Sequence, residues 1–471
     1  MINSARPLSS ALAALGVMAL MPAIVAVRVD GDHASTFVLT ALLCIFLAGA
    51  MRFTTQGSTF RFRRTDGLIG LVLLWMVLPI AAMPSIAAVG GLSPLAAWLE
   101  AVSAFTATGI TSVQEGPRSL YVWFALLQWG GGLLTLTSVV AVLAPTGLGG
   151  LPDRTPRGGM MPDVVDMRSV LREIVPLYLG GTIACFLVLL IDGQSVYVSF
   201  TLASAVSSAG AHLPPEARIA MEVDSAPKWL LMPFLLWSAT SVLWHRTLFS
   251  RRVNNSPEQK ESLALLIYWF ILGIGLGAIL VRSSSPNALE ALRDGLFTAA
   301  SLISTSGIGP DDGTYQNQPL VLVLFVVMLG GGALSVTGGL KIMRLRAMLL
   351  RARGDLLRLI YPNLAQPVRL GESGMSSTMR GVWVTTATLF AVFGTCVIAL
   401  APGLPSLEAA LAAAAAVVSN TGPVYDAAGS GWPPLASLPT GSVLVAGMAM
   451  IAGRLEIIGL LVIVHFAFWR T

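Results

Sequence analysis

The sequence predicts an all-α polytopic membrane protein: four helix–hairpin–helix repeats around one pseudo-fourfold axis, preceded by two transmembrane helices. Three observations lead there. The 471 residues are 55% hydrophobic and only 11% charged, with a mean hydropathy of +0.76. A soluble chain carries about 25% charged residues to cover its surface, whereas a bilayer-embedded one has no use for them. Ten apolar stretches approach or exceed the length that crosses a hydrocarbon core, about 20 residues. Between them lie four shorter apolar runs, each ending in small polar residues around a glycine.

The first stretch, 8–28, has no obvious small-residue cleavage site and is followed by further spans, so it reads as a retained helix and not as a signal peptide. With 36–52 it forms the leading pair, residues 1–65. The spans 66–88, 118–145, 171–191, 226–248, 262–281, 318–347, 381–401 and 440–469 then flank the short runs 93–107, 196–208, 288–305 and 406–420. Runs of that size are too brief to span and suit re-entrant segments. The repeats divide as 66–150, 151–255, 256–360 and 361–471.

Charge sets the orientation. Arg52, Arg61, Arg63 and Arg64 form one basic cluster; Arg246, Arg251, Arg252 and Lys260 form another; Lys341, Arg344, Arg346, Arg351, Arg353 and Arg358 form the densest. If the spans alternate, all three fall on one side, which is then cytoplasmic and holds both termini. The other loops are acidic or mixed, as at Asp30 with Asp32 and Asp311 with Asp312. The net charge of +5 therefore reports topology, with no nucleic-acid partner. Cys44, Cys185 and Cys396 are scattered through apolar segments, which argues against a disulfide framework. His33, His212, His245 and His465 show no metal-ligand spacing.

Aligned, the four short runs end "SAFTATGIT", "SAVSSAGAH", "SLISTSGIG" and "AVVSNTGPV", with central glycines Gly109, Gly210, Gly307 and Gly422. One such glycine marks a turn; four copies in the same context mark an internal repeat. Non-helical backbone at membrane depth persists only where protein buries it or a watery cavity receives it. Four hairpins around one axis meet both conditions and predict a pseudo-fourfold pore. Main-chain carbonyls can replace the hydration shell of a bare alkali cation, the logic of potassium-channel filters. The hairpins are uncharged, as dipole coordination requires, and the C-terminal ends of short helices present negative potential to a cation.

Two further stretches matter. "LGGGALSVTGGLKIMRLR", 329–346, interrupts an apolar span with Gly330, Gly331, Gly332, Gly338 and Gly339. Each costs about 1 kcal/mol in a helix relative to Ala, so an unwound loop beneath the hairpins is expected, able to block or open the path; the alternative is a tight small-residue helix contact. "MAMIAGRLEIIG", 448–459, puts Arg454 and Glu456 inside the last span, where charge normally faces an interior cavity or snorkels to the interface. Glu100, in the first short run, either supports its hairpin by hydrogen bonding or lies exposed near the outer surface. No Walker sequence, metal-ligand spacing or nucleophile–base arrangement appears, so no enzyme is expected.

The four hairpins, the "STSG" and "SNTGP" forms, "SVTGGLKIMR" and "GRLEI" together resemble the membrane subunit of the Trk/Ktr potassium uptake family over nearly the whole chain, and the two leading helices look like the Trk branch. The resemblance implies gated, channel-like K⁺ uptake into the cytoplasm across a bacterial inner membrane. It implies a homodimer, a cytosolic nucleotide-binding (RCK/TrkA-like) regulatory ring, and no organic cofactor on this chain, K⁺ being the transported ion. It places filter carbonyls at Ala107, Thr108 and Gly109; Ser208, Ala209 and Gly210; Thr305, Ser306 and Gly307; and Asn420, Thr421 and Gly422. The gate would comprise Gly330, Gly331, Gly332, Gly338, Gly339 and Lys341, with Arg454 close beneath. Glycine at position 109 favours K⁺ over Na⁺ in this pattern. Two departures stand out: "GAH" after the second hairpin, where an aromatic is more usual, and "GPVYD" after the fourth. They would bring His212 and Asp426 near the outer mouth. A symporter coupling K⁺ to H⁺ or Na⁺, or a Na⁺-permeable member of the family, is the alternative. Coupled carriers more often have inverted twofold repeats, whereas these four face the same way.

Overall fold

The computed structural model describes residues 2–55, 64–143, 167–249, 257–283, 287–311, 313–361, 375–429 and 431–455. Of the positions named above, Arg61, Arg63, Arg251, Arg252, Asp312, Glu456 and His465 lie outside them.

The described residues are predominantly helical. Helices α1 (Ile2–Met18) and α2 (Leu20–Val25) run on through a π turn, and α3 (Ala34–Thr54) returns beside them, tied by Ser9 Oγ donating to Ala48 O at 2.8 Å. The same three-part unit then follows four times. Helix α4 (Arg64–Gly90), short helix α5 (Pro94–Phe105) and helix α6 (Arg118–Ser138) form the first. The second is α7 (Met167–Ile191), α8 (Val196–Ser208), a small outer helix α9 (Pro215–Val223), α10 (Ser225–Ala239) and α11 (Val242–Phe249). In the third, α12 (Pro257–Ser283), α13 (Ala288–Ile303) and α14 (Leu320–Leu329) precede a basic helix α15 (Ile342–Ile360). The fourth is α16 (Met375–Leu400), α17 (Leu407–Ser419) and α18 (Thr440–Arg454).

Each short helix starts the same way. Ser93, Ser195, Asn287 and Ser406 accept from Ala96 N, Val198 N, Leu289 N and Ala409 N at 3.4, 3.2, 3.1 and 3.1 Å. A side-chain N-cap contributes about 1 kcal/mol and here fixes where each chain turns back.

Seven of the described helices are long and apolar enough to cross a membrane. Leu39 and Phe46 on α3, Ile267 and Phe270 on α12, and Trp383 and Phe390 on α16 point outward, as a lipid-facing surface requires. Close helix contacts use small residues: a Cβ on Gly273 of α12 would lie 2.6 Å from Leu296 Cδ2 of α13, and Trp269 Nε1 donates to Leu296 O at 2.9 Å.

Two of the ten expected spans are interrupted. α10 stops at Ala239 and Thr240 turns extended, its hydroxyl donating back to Leu236 O at 3.0 Å. α14 stops after ten residues because Gly330 adopts φ 65°. Both breaks leave main-chain groups that need partners inside the molecule, and they find them in each other.

Candidate functional site

The ends of α5, α8, α13 and α17 share one conformation. Ala107, Ala209, Thr305 and Asn420 take φ values of 52°, 55°, 54° and 56°. The next residue's N–H returns to the helix: Thr108 N to Ser103 O at 2.8 Å, Gly210 N to Ala205 O at 2.8 Å, Ser306 N to Ser301 O at 3.1 Å, Thr421 N to Ala416 O at 2.9 Å. This bond, typical of left-handed helix ends, lets the chain leave each helix without stranding an N–H.

That shared geometry fixes a register, and it differs from the sequence alignment in the second hairpin. Gly210 occupies the level of Thr108, Ser306 and Thr421; the residue level with Gly109, Gly307 and Gly422 is Ala211. The cause is local. α8 keeps its helical turn one residue further along the motif, so the left-handed residue is Ala209 and not Ser208. Gly210 is needed at its own level because a Cβ there would lie 2.5 Å from Gln128 Oε1. The expected triplet Ser208, Ala209 and Gly210 is therefore shifted: Ser208 is still in the helix, its hydroxyl donating to Ser204 O at 2.8 Å.

The hairpins meet. Gly422 N donates to Thr108 O at 2.6 Å, and Asn420 Nδ2 donates to Thr108 Oγ1 at 3.0 Å and to Met450 O at 2.8 Å. Ser306 Oγ donates to Gly210 O at 2.9 Å. Gly109 and Gly307 have φ of 85° and 77°, conformations that L side chains resist. Gly109, Ala211, Gly307 and Gly422 together floor an outer cavity of about 340 Å³, whose walls include Tyr315, Tyr425, Asp311, Asp426, Glu222 and Arg218. Asp426 lines this cavity. His212 does not: it is 1% exposed, tilted 5.0 Å from the Phe124 ring, with Nε2 3.5 Å from Glu100 Oε2. Glu100 is equally buried and accepts from Ser112 N, so it supports the exit strand of the first hairpin instead of lying exposed.

Beneath the hairpins runs the interrupted segment 330–341. Its main chain is held on every side. Gly332 N donates to Ala239 O at 2.9 Å and Val242 N donates to Leu334 O at 3.1 Å, so the loop docks into the α10–α11 break. Ala333 N donates to Glu261 Oε1 at 2.7 Å, and Gly338 N to Thr305 Oγ1 at 2.9 Å. Gly331 N donates to Thr337 Oγ1 at 3.2 Å, and Gly339 takes φ 77°. Lys341 is buried, with φ 75°; its Nζ donates to Thr337 O and to Thr337 Oγ1 at 3.0 Å. Arg454 is 2% exposed, which rules out snorkelling; it donates to Thr106 O and to Val336 O, joining the first hairpin to the loop. Sequence reasoning missed Gln128 and Glu261. A polar residue in a span is their only signal, Gln128 in α6 and Glu261 near the start of α12.

No family model matches the chain. It is 27% identical to the Trk system potassium uptake protein TrkH of Vibrio parahaemolyticus over 98% of this chain and 97% of that one, and 25% identical to TrkH of Escherichia coli K12 over 96% and 95%. The crystal structure of the potassium transporter TrkH from V. parahaemolyticus superposes with a TM-score of 0.86 at 26% identity, covering 100% of this chain and 99% of that one. Over nearly its whole length the chain is similar to the membrane subunits of Trk potassium uptake systems. The likeness extends to the all-α architecture with several candidate membrane spans.

Proposed function

We propose that the protein is a gated, channel-like potassium importer in which the floor of the outer cavity is a cation-selective ring and segment 330–341 is the gate. One observation carries the reading: four equivalent turns, one per repeat, bring Gly109, Ala211, Gly307 and Gly422 to the bottom of a single cavity, directly above a buried loop. Relatives named as potassium uptake proteins match nearly end to end.

In this reading a K⁺ ion sheds water at the floor and is held by main-chain oxygens of the turn residues, in register Ala107–Gly109, Ala209–Ala211, Thr305–Gly307 and Asn420–Gly422. Thr108 O and Gly210 O each accept one hydrogen bond from a neighbouring hairpin and keep a second lone pair. The side chains at the cavity wall, with three carboxylates against Arg218, raise local cation concentration. The ion moves inward down the membrane potential, which supplies about 2.3 kcal/mol per charge per 100 mV. Passage requires the loop to leave its docking site and Arg454 to withdraw from the path. The basic clusters face the cytoplasm, two such subunits pair, and a cytosolic nucleotide-binding ring sets the open probability.

The test is growth on limiting potassium of a bacterium that lacks its own uptake systems, together with radiolabelled Rb⁺ uptake by the purified protein in liposomes, with and without a pH gradient. Rescue and Rb⁺ uptake without dependence on the gradient are expected. Uptake that needs a proton or sodium gradient would make it a symporter.

A further inference from the structure

Gln128 belongs to none of the repeated motifs, yet it grips the second hairpin by both main-chain groups of one residue. Its Nε2 donates to His212 O at 3.2 Å, and His212 N donates to its Oε1 at 3.3 Å. The side chain is fully buried, so each of these bonds is made away from water, where a stranded partner bears its whole desolvation cost. The grip immediately follows Ala211 and fixes how far the second hairpin reaches over the cavity floor.

Ala211 is the one residue at the level of the three glycines that carries a side chain. Its methyl faces Gly109: a Cβ built on Gly109 would lie 2.7 Å from Ala211 Cβ. The floor is also twofold in conformation, since Gly109 and Gly307 have positive φ while Ala211 and Gly422 do not. Alanine is therefore accommodated at 211 without left-handed strain, and its methyl acts as a spacer between the first and second hairpins.

We infer that Ala211 is a specificity-determining residue of the cavity floor and that Gln128 is the positioning residue that holds it there. The inference rests on the reading of that floor as a cation-selective ring. Discrimination between cations depends on how closely and how rigidly the oxygens can surround the ion. A methyl wedged against Gly109 stops the two hairpins from closing around a smaller ion. Without it, or without the grip on His212, the oxygens can approach Na⁺.

The experiment compares radiolabelled Rb⁺ and Na⁺ uptake by the full-length protein in liposomes. Ala211→Gly is expected to lower the Rb⁺-over-Na⁺ ratio about tenfold or more, the lower end of the range that a single methylene commands in a fitted site. Gln128→Ala is expected to lower the ratio in the same direction. The double variant should fall no further than the lower single, because both act on one hairpin position. Loss of folded protein scales both fluxes alike and leaves the ratio unmoved, so the ratio separates positioning from stability. If Ala211→Gly does not reconstitute, Gln128→Ala carries the same criterion, and an unchanged ratio there overturns the inference. A ratio unchanged by the Ala211 substitution overturns the inference. Failure of the unaltered protein to prefer Rb⁺ would instead overturn the reading of the floor.

Discussion

Arg454, near the end of the last helix, donates to the carbonyl of Val336 in the middle of the interrupted segment. The same guanidinium donates to Thr106 O at the first hairpin, so one buried cation fastens the loop to the ring above it. Hydrogen bonds from charged donors contribute about 1.5–3 kcal/mol each, and this side chain makes contacts to three carbonyls, Ala107 O being the third at 3.5 Å.

Replacing Arg454 with Gln is therefore expected to loosen the loop. Rb⁺ uptake by the protein alone in liposomes should rise by about tenfold, the equivalent of about 1.4 kcal/mol. Basal uptake equal to that of the unaltered protein would show that Arg454 does not hold the loop.

Gly307→Ser should impair discrimination. The residue has φ 77°, and an added Cβ would lie 2.9 Å from Pro423 Cδ, so either the third or the fourth hairpin must shift. A fall in the Rb⁺-over-Na⁺ uptake ratio is expected, together with a stability loss of about 1–3 kcal/mol read by thermal unfolding in detergent.

Lys228 is nearly inaccessible, with Nζ 3.0 Å from Asp311 Oδ1 and 3.9 Å from Asp294 Oδ1. It ties α10 of the second repeat to the third hairpin. Lys228→Met leaves Asp294 with Arg293 as its remaining counter-charge, at 2.8 Å, and removes the donor to the half-exposed Asp311; losing a hydrogen bond between charged groups costs about 1.5–3 kcal/mol. The melting temperature should drop markedly, and Lys228→Met with Asp294→Asn should recover part of it. An unchanged melting point for the single variant would assign the pair no structural weight.

Glu100→Ala removes the acceptor for Ser112 N and leaves that N–H without its partner at a cost of about 1–3 kcal/mol. Glu100→Gln keeps an acceptor and should retain most of the stability. Equal losses in the two variants would mean that the charge, and not the hydrogen bond, is what the first hairpin needs.

The sequence showed the four hairpins because small polar residues around a glycine are rare in so apolar a chain. It also carried a second fourfold signal that the glycines overshadowed: Ser93, Ser195, Asn287 and Ser406 cap the four short helices. The register of the second hairpin was not legible. "SAVSSAGAH" aligns by its glycine with the others, but whether a helix ends one residue earlier or later depends on what waits beside it, here Gln128 on another helix. His212 was misplaced at the mouth for the same reason. Its ring turns back toward Glu100 and Phe124, a choice made by packing and invisible in the string. The loop at 330–341 was anticipated from its glycines, whereas its docking into the α10–α11 break was not, since Thr240 and Ser241 give no strong breaking signal in the sequence.

That docking has a price for any opening motion. Gly332 N, Leu334 O, Ala239 O and Val242 N all satisfy one another across two interrupted helices. In surroundings without solvent, main-chain groups parted from their partners are too costly to leave bare. Were the segment to leave its site, as the proposed gating requires, water would have to replace these partners, so hydration and release would occur together.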